Sequence, residues 1–78
     1  MRQFQVRLRS FQDVQAFVTL AASQNFPITV GSGDYRVSAT SFMGMFTLDY
    51  AHPLLAQADC SDEQWADFSQ KAASFLEV

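Results

Sequence analysis

The feature that most constrains this chain is a change of hydrophobic period within its first 24 residues. Residues 3–9, Gln-Phe-Gln-Val-Arg-Leu-Arg, alternate strictly: Phe4, Val6 and Leu8 share one face, and Gln3, Gln5, Arg7 and Arg9 share the other. Successive strand side chains point to opposite sides, so this pattern predicts a half-buried strand with one wet face. Over residues 10–24 the spacing becomes helical, with Val14, Phe17, Val18, Ala21 and Ala22 on one side and Gln15, Thr19 and Ser23 on the other. Ser10 or Asp13 can cap the start of that helix, and Asn25 is a plausible stop. A strand feeding a helix this early, in only 78 residues, predicts a single small domain, 1–78. A chain this short buries only about 60% of its unfolded surface, so each core side chain counts. Eight Phe and a 49% hydrophobic content are enough for a core and too much for a disordered segment.

The period switches again further along. Phe26, Ile28 and Val30 alternate with Pro27 and Thr29. Pro27 has no N–H to give a ladder, so a strand over 26–30 starts there or lies at an edge. Gly31-Ser32-Gly33-Asp34 has a tight-turn composition, and Tyr35, Val37 and Ala39 then alternate with Arg36 and Ser38, completing a hairpin. Thr40 or Ser41 can cap a short helix from Phe42 to about Leu48, weakened by about 1 kcal/mol by Gly44 relative to Ala. Residues 49–53 connect to a fourth strand over Leu54–Asp59. Ser61 and Gln64 form a capping box for a last helix, Asp62 and Glu63 suit its positive end, and Trp65, Phe68, Ala72, Phe75 and Leu76 make its apolar stripe. The order β-α-β-β-α-β-α fits an α+β sandwich: a four-stranded antiparallel sheet with helices on one face.

Charge and composition exclude several classes. Five Lys and Arg against eight Asp and Glu give −3. Residues 1–40 hold Arg2, Arg7, Arg9 and Arg36 against Asp13 and Asp34, net +2, and residues 59–78 hold Asp59, Asp62, Glu63, Asp67 and Glu77 against Lys71, net −4. An acidic chain argues against nucleic acid as partner, because neutralising phosphate needs a basic patch. The longest uncharged apolar stretch, Ala16 to Ala22, is interrupted by Thr19 and too short to span a bilayer. No basic segment with an apolar core opens the chain, so a cytoplasmic protein is expected. One Cys and one His allow neither an internal disulfide nor a His/Cys metal site, and no cofactor is expected. Cys60 reads as a small buried hydrophobe, and Asp59, Asp62, Glu63 and Asp67 as helix-dipole partners and solvated charges. Gly31-Ser32-Gly33 precedes a strand rather than a helix, which makes it a hairpin turn and not a phosphate cradle. No nucleophile–base pair stands out, so an independent enzyme is not expected.

The short second helix carries the most telling pattern. Phe42, Met43, Met45, Phe46 and Leu48 cover its whole turn, so it cannot bury all five. An exposed aromatic patch there means a partner or self-association. Ser41 is open to two readings from its chemistry: a plain cap, or a modification site at a helix start that favours an added phosphate.

Ser41-Phe42-Met43-Gly44-Met45-Phe46-Thr47-Leu48 resembles the segment around the regulatory serine of the HPr phosphocarrier family of the sugar phosphotransferase system. That segment typically reads Ser-Ile-Met-Gly-(Val/Leu)-Met-Ser-Leu; Ser41, Met43, Gly44 and Leu48 match outright. Asp62-Glu63 also resembles the family's common start of the last helix. The resemblance spans nearly the whole chain as topology and about eight residues as motif. It implies an HPr-like open-faced β-sandwich.

The family carries phosphate on a histidine just after the first strand, within Gly-(Ile/Leu)-His-Ala-Arg-Pro-Ala. The corresponding stretch here is Ser10-Phe11-Gln12-Asp13-Val14-Gln15-Ala16, with no His, Arg or Pro. Phosphoryl carriage needs a nucleophilic imidazole nitrogen, and Asp13 supplies only a charge that repels phosphate. His52 sits in a different connection, placed by the family layout far from that loop, and reads as an exposed loop residue. The Crh branch of the family likewise lacks the carrier histidine and keeps the serine. The resemblance therefore implies phosphorylation at Ser41 by an HPr kinase/phosphorylase, and partner docking through Phe42, Met43 and Phe46. It implies a LacI-type regulator or phosphotransferase enzymes as partners. A degenerate HPr-fold module that binds or assembles without any phosphorylation is the other reading; the bulk of Phe42 and Phe46 favours it.

Overall fold

The computed structural model describes residues 2–32, 34–48 and 52–76. Its elements are β1 (Arg2–Val6), α1 (Phe11–Ala22), β2 (Ile28–Ser32), β3 (Tyr35–Ser38), α2 (Phe42–Met45), β4 (Leu54–Ala58) and α3 (Asp62–Lys71). The four strands form one antiparallel sheet in the order β1-β4-β2-β3. β1 and β2 are thus parallel to each other with β4 inserted between them, a split β-α-β unit crossed by α1. The element order and the α+β class are those expected from the periodicity.

The side chains facing the helices follow the alternation. Phe4, Ala56, Val30 and Val37 lie in one cross-strand row, and Ala58 and Ile28 in the next. Phe68 of α3 is fully buried and gathers the rings of the core. Its ring lies 5.9 Å from Phe4, 5.9 Å from Phe26, 6.4 Å from Phe17 and 6.2 Å from Trp65. Several of these contacts are tilted or edge-on, the arrangement that the ring quadrupoles favour. The inward positions of β4 after Leu54 are Ala56 and Ala58, both fully buried, and such small side chains in a central strand leave volume for large rings.

Both longer helices are capped as their sequences predict. Ser10 Oγ accepts from Asp13 N at 3.2 Å, so Ser10 is the cap of α1, while the Asp13 carboxylate accepts from Arg9 N at 3.0 Å. In α3 the box is complete: Ser61 N donates to Gln64 Oε1 at 2.9 Å, and Gln64 N donates to Ser61 Oγ at 3.2 Å. Asp62 also pairs with Arg2, whose guanidinium lies 5.8 Å from the Trp65 ring centre. Cys60 is half-buried and packs against the core, and His52 is exposed.

Four boundaries differ from the sequence expectation: those of the first two strands, of the second helix, and of the last helix, which ends at Lys71 so that Phe75 and Leu76 of its expected stripe lie beyond it. The first strand covers Arg2–Val6 rather than residues 3–9. Its register pairs Val6 with Leu54, the first residue of β4. Arg7 N donates to Phe75 O at 2.7 Å, and Val6 bridges Leu76, which covers the outer edge of β1. The second strand covers Ile28–Ser32 rather than 26–30. Gly31 and Ser32, expected in the turn, pair with Arg36 and Tyr35; Gly33 lies outside the described residues. The second helix ends at Met45 rather than about Leu48. The expected connection falls partly on residues 49–51, also outside the described residues.

Gly31 is required by a close approach. A Cβ there would lie 2.8 Å from both the Tyr35 carbonyl oxygen and Arg36 Nη1. Arg36 is held across this part of the sheet by donating from Nη2 to Thr29 Oγ1 at 2.8 Å and to Thr29 O at 3.2 Å. Two stability predictions follow from this packing. Phe68→Ala lowers the unfolding free energy by about 3–5 kcal/mol, measured by urea denaturation with Trp65 fluorescence as reporter. Gly31→Ala lowers it by about 1–3 kcal/mol in the same assay, because backbone at the contact cannot give way as a flexible side chain does.

Candidate functional site

The chain leaves β3 through a compact corner. Ala39 N donates to Ile28 O at 2.9 Å and Ser41 N donates to Ser38 O at 3.1 Å, which fixes where the next helix begins. Ser41 is its cap: Ser41 Oγ accepts from Gly44 N at 3.1 Å, and Ser41 O accepts from Met45 N at 2.9 Å. The residue remains exposed. Gly44 faces β3 so closely that a Cβ would stand 3.1 Å from Val37 Cβ. The glycine that weakens α2 as a helix therefore also lets it lie close on the sheet.

This docking divides the apolar residues of α2 and its C-terminal turn. Met45 is fully buried and Leu48 nearly so. Met43 is 79% exposed, Phe46 45% and Phe42 41%. The structure thus brings Ser41, Phe42, Met43 and Phe46 together on one exposed turn. Thr47 Oγ1 donates to Gly44 O at 2.6 Å and lies 2.9 Å from the Tyr35 hydroxyl, tying the turn to β3.

Sequence reasoning missed Phe11. It is the first residue of α1 after the Ser10 cap and is 58% exposed. Its ring stacks on Phe46 at 5.3 Å with an interplanar angle of 6°, and Phe42 stands 6.4 Å from Phe46. The apolar face therefore runs from the start of α1 across α2. Beside it opens a cleft of about 330 Å³ lined by Leu8, Arg9, Ser10, Phe11, Val14 and Phe46. The available signal was spacing: Phe11 lies three residues before Val14, in line with the helical stripe but one turn beyond the core.

Near the start of α1 the Asp13 N–H is taken by Ser10 Oγ and the Arg9 N–H by the Asp13 carboxylate. The segment brings no histidine there, as the sequence requires. For His52, the register changes the picture. Leu54 pairs with Val6, so the connection bearing His52 enters β4 at the end of the sheet where β1 leads into α1. The family layout set this connection far from the loop after β1, whereas the register brings both to the same end of the sheet; His52 is exposed.

No protein-family model and no curated protein matches this chain. Among solved structures, HPr-C-His from Thermoanaerobacter tengcongensis superposes with a TM-score of 0.73, covering 95% of this chain and 93% of that one at 18% identity. No helix among the described residues is long and apolar enough to cross a membrane. The fold is HPr-like.

Proposed function

We propose that this chain is an HPr-like regulatory module that acts by binding other proteins, has no phosphocarrier histidine, and is switched by phosphorylation at Ser41. The observation that carries this reading is the juxtaposition on α2. An exposed serine caps the helix, and Phe42, Met43 and Phe46 stand exposed directly beside it. A phosphate on Ser41 adds about −1.5 to −2 charges and three strong acceptors at the edge of an apolar face. Partners that bury rings are then disfavoured, and partners that present Arg next to an apolar pocket are favoured. Aromatic and methionine side chains suit such a surface, since they give large contact area and adapt their shape.

The segment entering α1 supports the other half of the reading. Asp13 occupies the helix start where a phosphoryl group would need donors, and its carboxylate already takes the Arg9 N–H. The module is not itself an enzyme and uses no cofactor or metal in this reading. By the resemblance, its partners are an HPr kinase/phosphorylase and a LacI-type regulator or phosphotransferase enzymes, in the cytoplasm. A second reading, a binding or assembly module with no phosphorylation role, is favoured by Phe11, whose stacking on Phe46 adds bulk near the serine-bearing helix.

Intact-mass measurement after incubation with an HPr kinase/phosphorylase and ATP separates the two. The switch predicts a gain of one phosphate in the wild type and none in Ser41→Ala. No gain in the wild type, with authentic HPr labelled in the same tube, would remove the switch and leave the binding module.

A further inference from the structure

We infer that the aromatic face of α1 and α2 is a self-association surface, through which two copies of this chain form an isologous dimer. The first argument is area. Phe11, Tyr35, Phe42, Met43 and Phe46 are all substantially exposed, and they are linked in space by the Phe11–Phe46–Phe42 stack and the Tyr35–Thr47 contact. At about 200 Å² per large side chain, their exposed fractions leave on the order of 500 Å² open. That is about a tenth of the chain's 4699 Å² surface. It also lies near the upper end of the roughly 300–600 Å² patch that a monomer usually tolerates. A specific interface needs at least about 1,000 Å² in total, or about 500 Å² from each copy, which is what this face provides.

The second argument is self-complementarity, which a two-fold contact demands because one patch must meet itself. The face carries both a knob and a hole. Met43 protrudes, 79% exposed, on an unbranched side chain. The cleft of about 330 Å³ beside Phe11 and Phe46, floored by Leu8 and Val14, is an apolar receptor for such a chain. A two-fold axis offers the Met43 of each copy to the cleft of the other.

The third argument is charge. The polar residues flanking Phe11, Phe42 and Phe46, namely Ser10, Gln12, Ser41 and Thr47, are neutral, and Tyr35 at the margin is flanked by Asp34 and Arg36, of opposite sign. The charged groups at the α1 edge are Arg9 and Asp13, of opposite sign, and an isologous contact lets the Arg9 of each copy approach the Asp13 of the other.

Sedimentation velocity from about 1 µM to about 1 mM tests the inference, since this range spans the affinities of an interface at the small end of the specific class. The wild type is expected to shift with concentration from the 8.7 kDa species to twice that mass. Met43→Asp and Phe11→Asp each raise the dissociation constant by about tenfold or more, as loss of a central anchor does. Leu55→Asp, on the opposite face of the sheet, leaves it unchanged. Met43 and Phe11 are largely outside the core, and unchanged far-UV circular dichroism identifies folded variants. A wild type that stays monomeric throughout overturns the dimer while leaving partner binding at this face untouched. So does a dimer that survives both helix substitutions and is lost in Leu55→Asp.

Discussion

The packing of Phe68 is the contact on which the rest of the molecule depends. One ring on α3 meets Phe4 of β1, Phe17 of α1, Phe26 before β2 and Trp65 of its own helix. In a chain of 78 residues there is only enough apolar volume for one such focus. The sheet accommodates it because β4, threaded between β1 and β2, turns Ala56 and Ala58 towards the helices. The segment after α3 then returns to β1 through Phe75 and Leu76 and covers its outer edge at Val6 and Arg7, a device that limits edge-to-edge pairing.

What this core leaves out makes the candidate site. α2 has four residues and meets the sheet through Gly44, so it can turn only Met45, with Leu48 behind it, inward. Its remaining large side chains have nowhere to be buried. Phe11, one turn ahead of the α1 core stripe, is in the same position and joins them by stacking on Phe46. The exposed face is thus a geometric consequence of a short helix crowded with apolar residues, set beside a helix start closed by Ser10 and Asp13. In a small domain such a surface is costly in solubility unless something covers it.

The fold was legible because its signals are local and periodic. The alternation of residues 3–9, the helical stripe of 10–24 and the Ser61–Gln64 box each read correctly to within a few residues. Partners distant in sequence limited the rest. Where the first strand gives way, Arg7 N turns to the Phe75 carbonyl, a partner 68 residues away that neither segment alone reveals. Gly31 looked like a turn residue because glycine commonly is one; its actual role is to admit Arg36 and the Tyr35 carbonyl. The exposure of Phe42, Met43 and Phe46 followed from the family resemblance and not from the pattern, since helical spacing alone does not say which side of so short a helix faces the sheet. Phe11 went unseen because its partner, Phe46, lies 35 residues away and across an interhelical gap.

The central claim is that α2 divides its apolar residues sharply between core and surface, and Met43 and Met45 allow a direct test. They are two residues apart, yet one is 79% exposed and the other fully buried. Limited oxidation of the native protein by hydrogen peroxide in dilute solution, followed by peptide mass mapping, reads the two separately. The account predicts that Met43 becomes sulfoxide at least about tenfold faster than Met45, and that unfolding in urea removes the difference. Equal rates in the native protein, or faster oxidation of Met45, would contradict it.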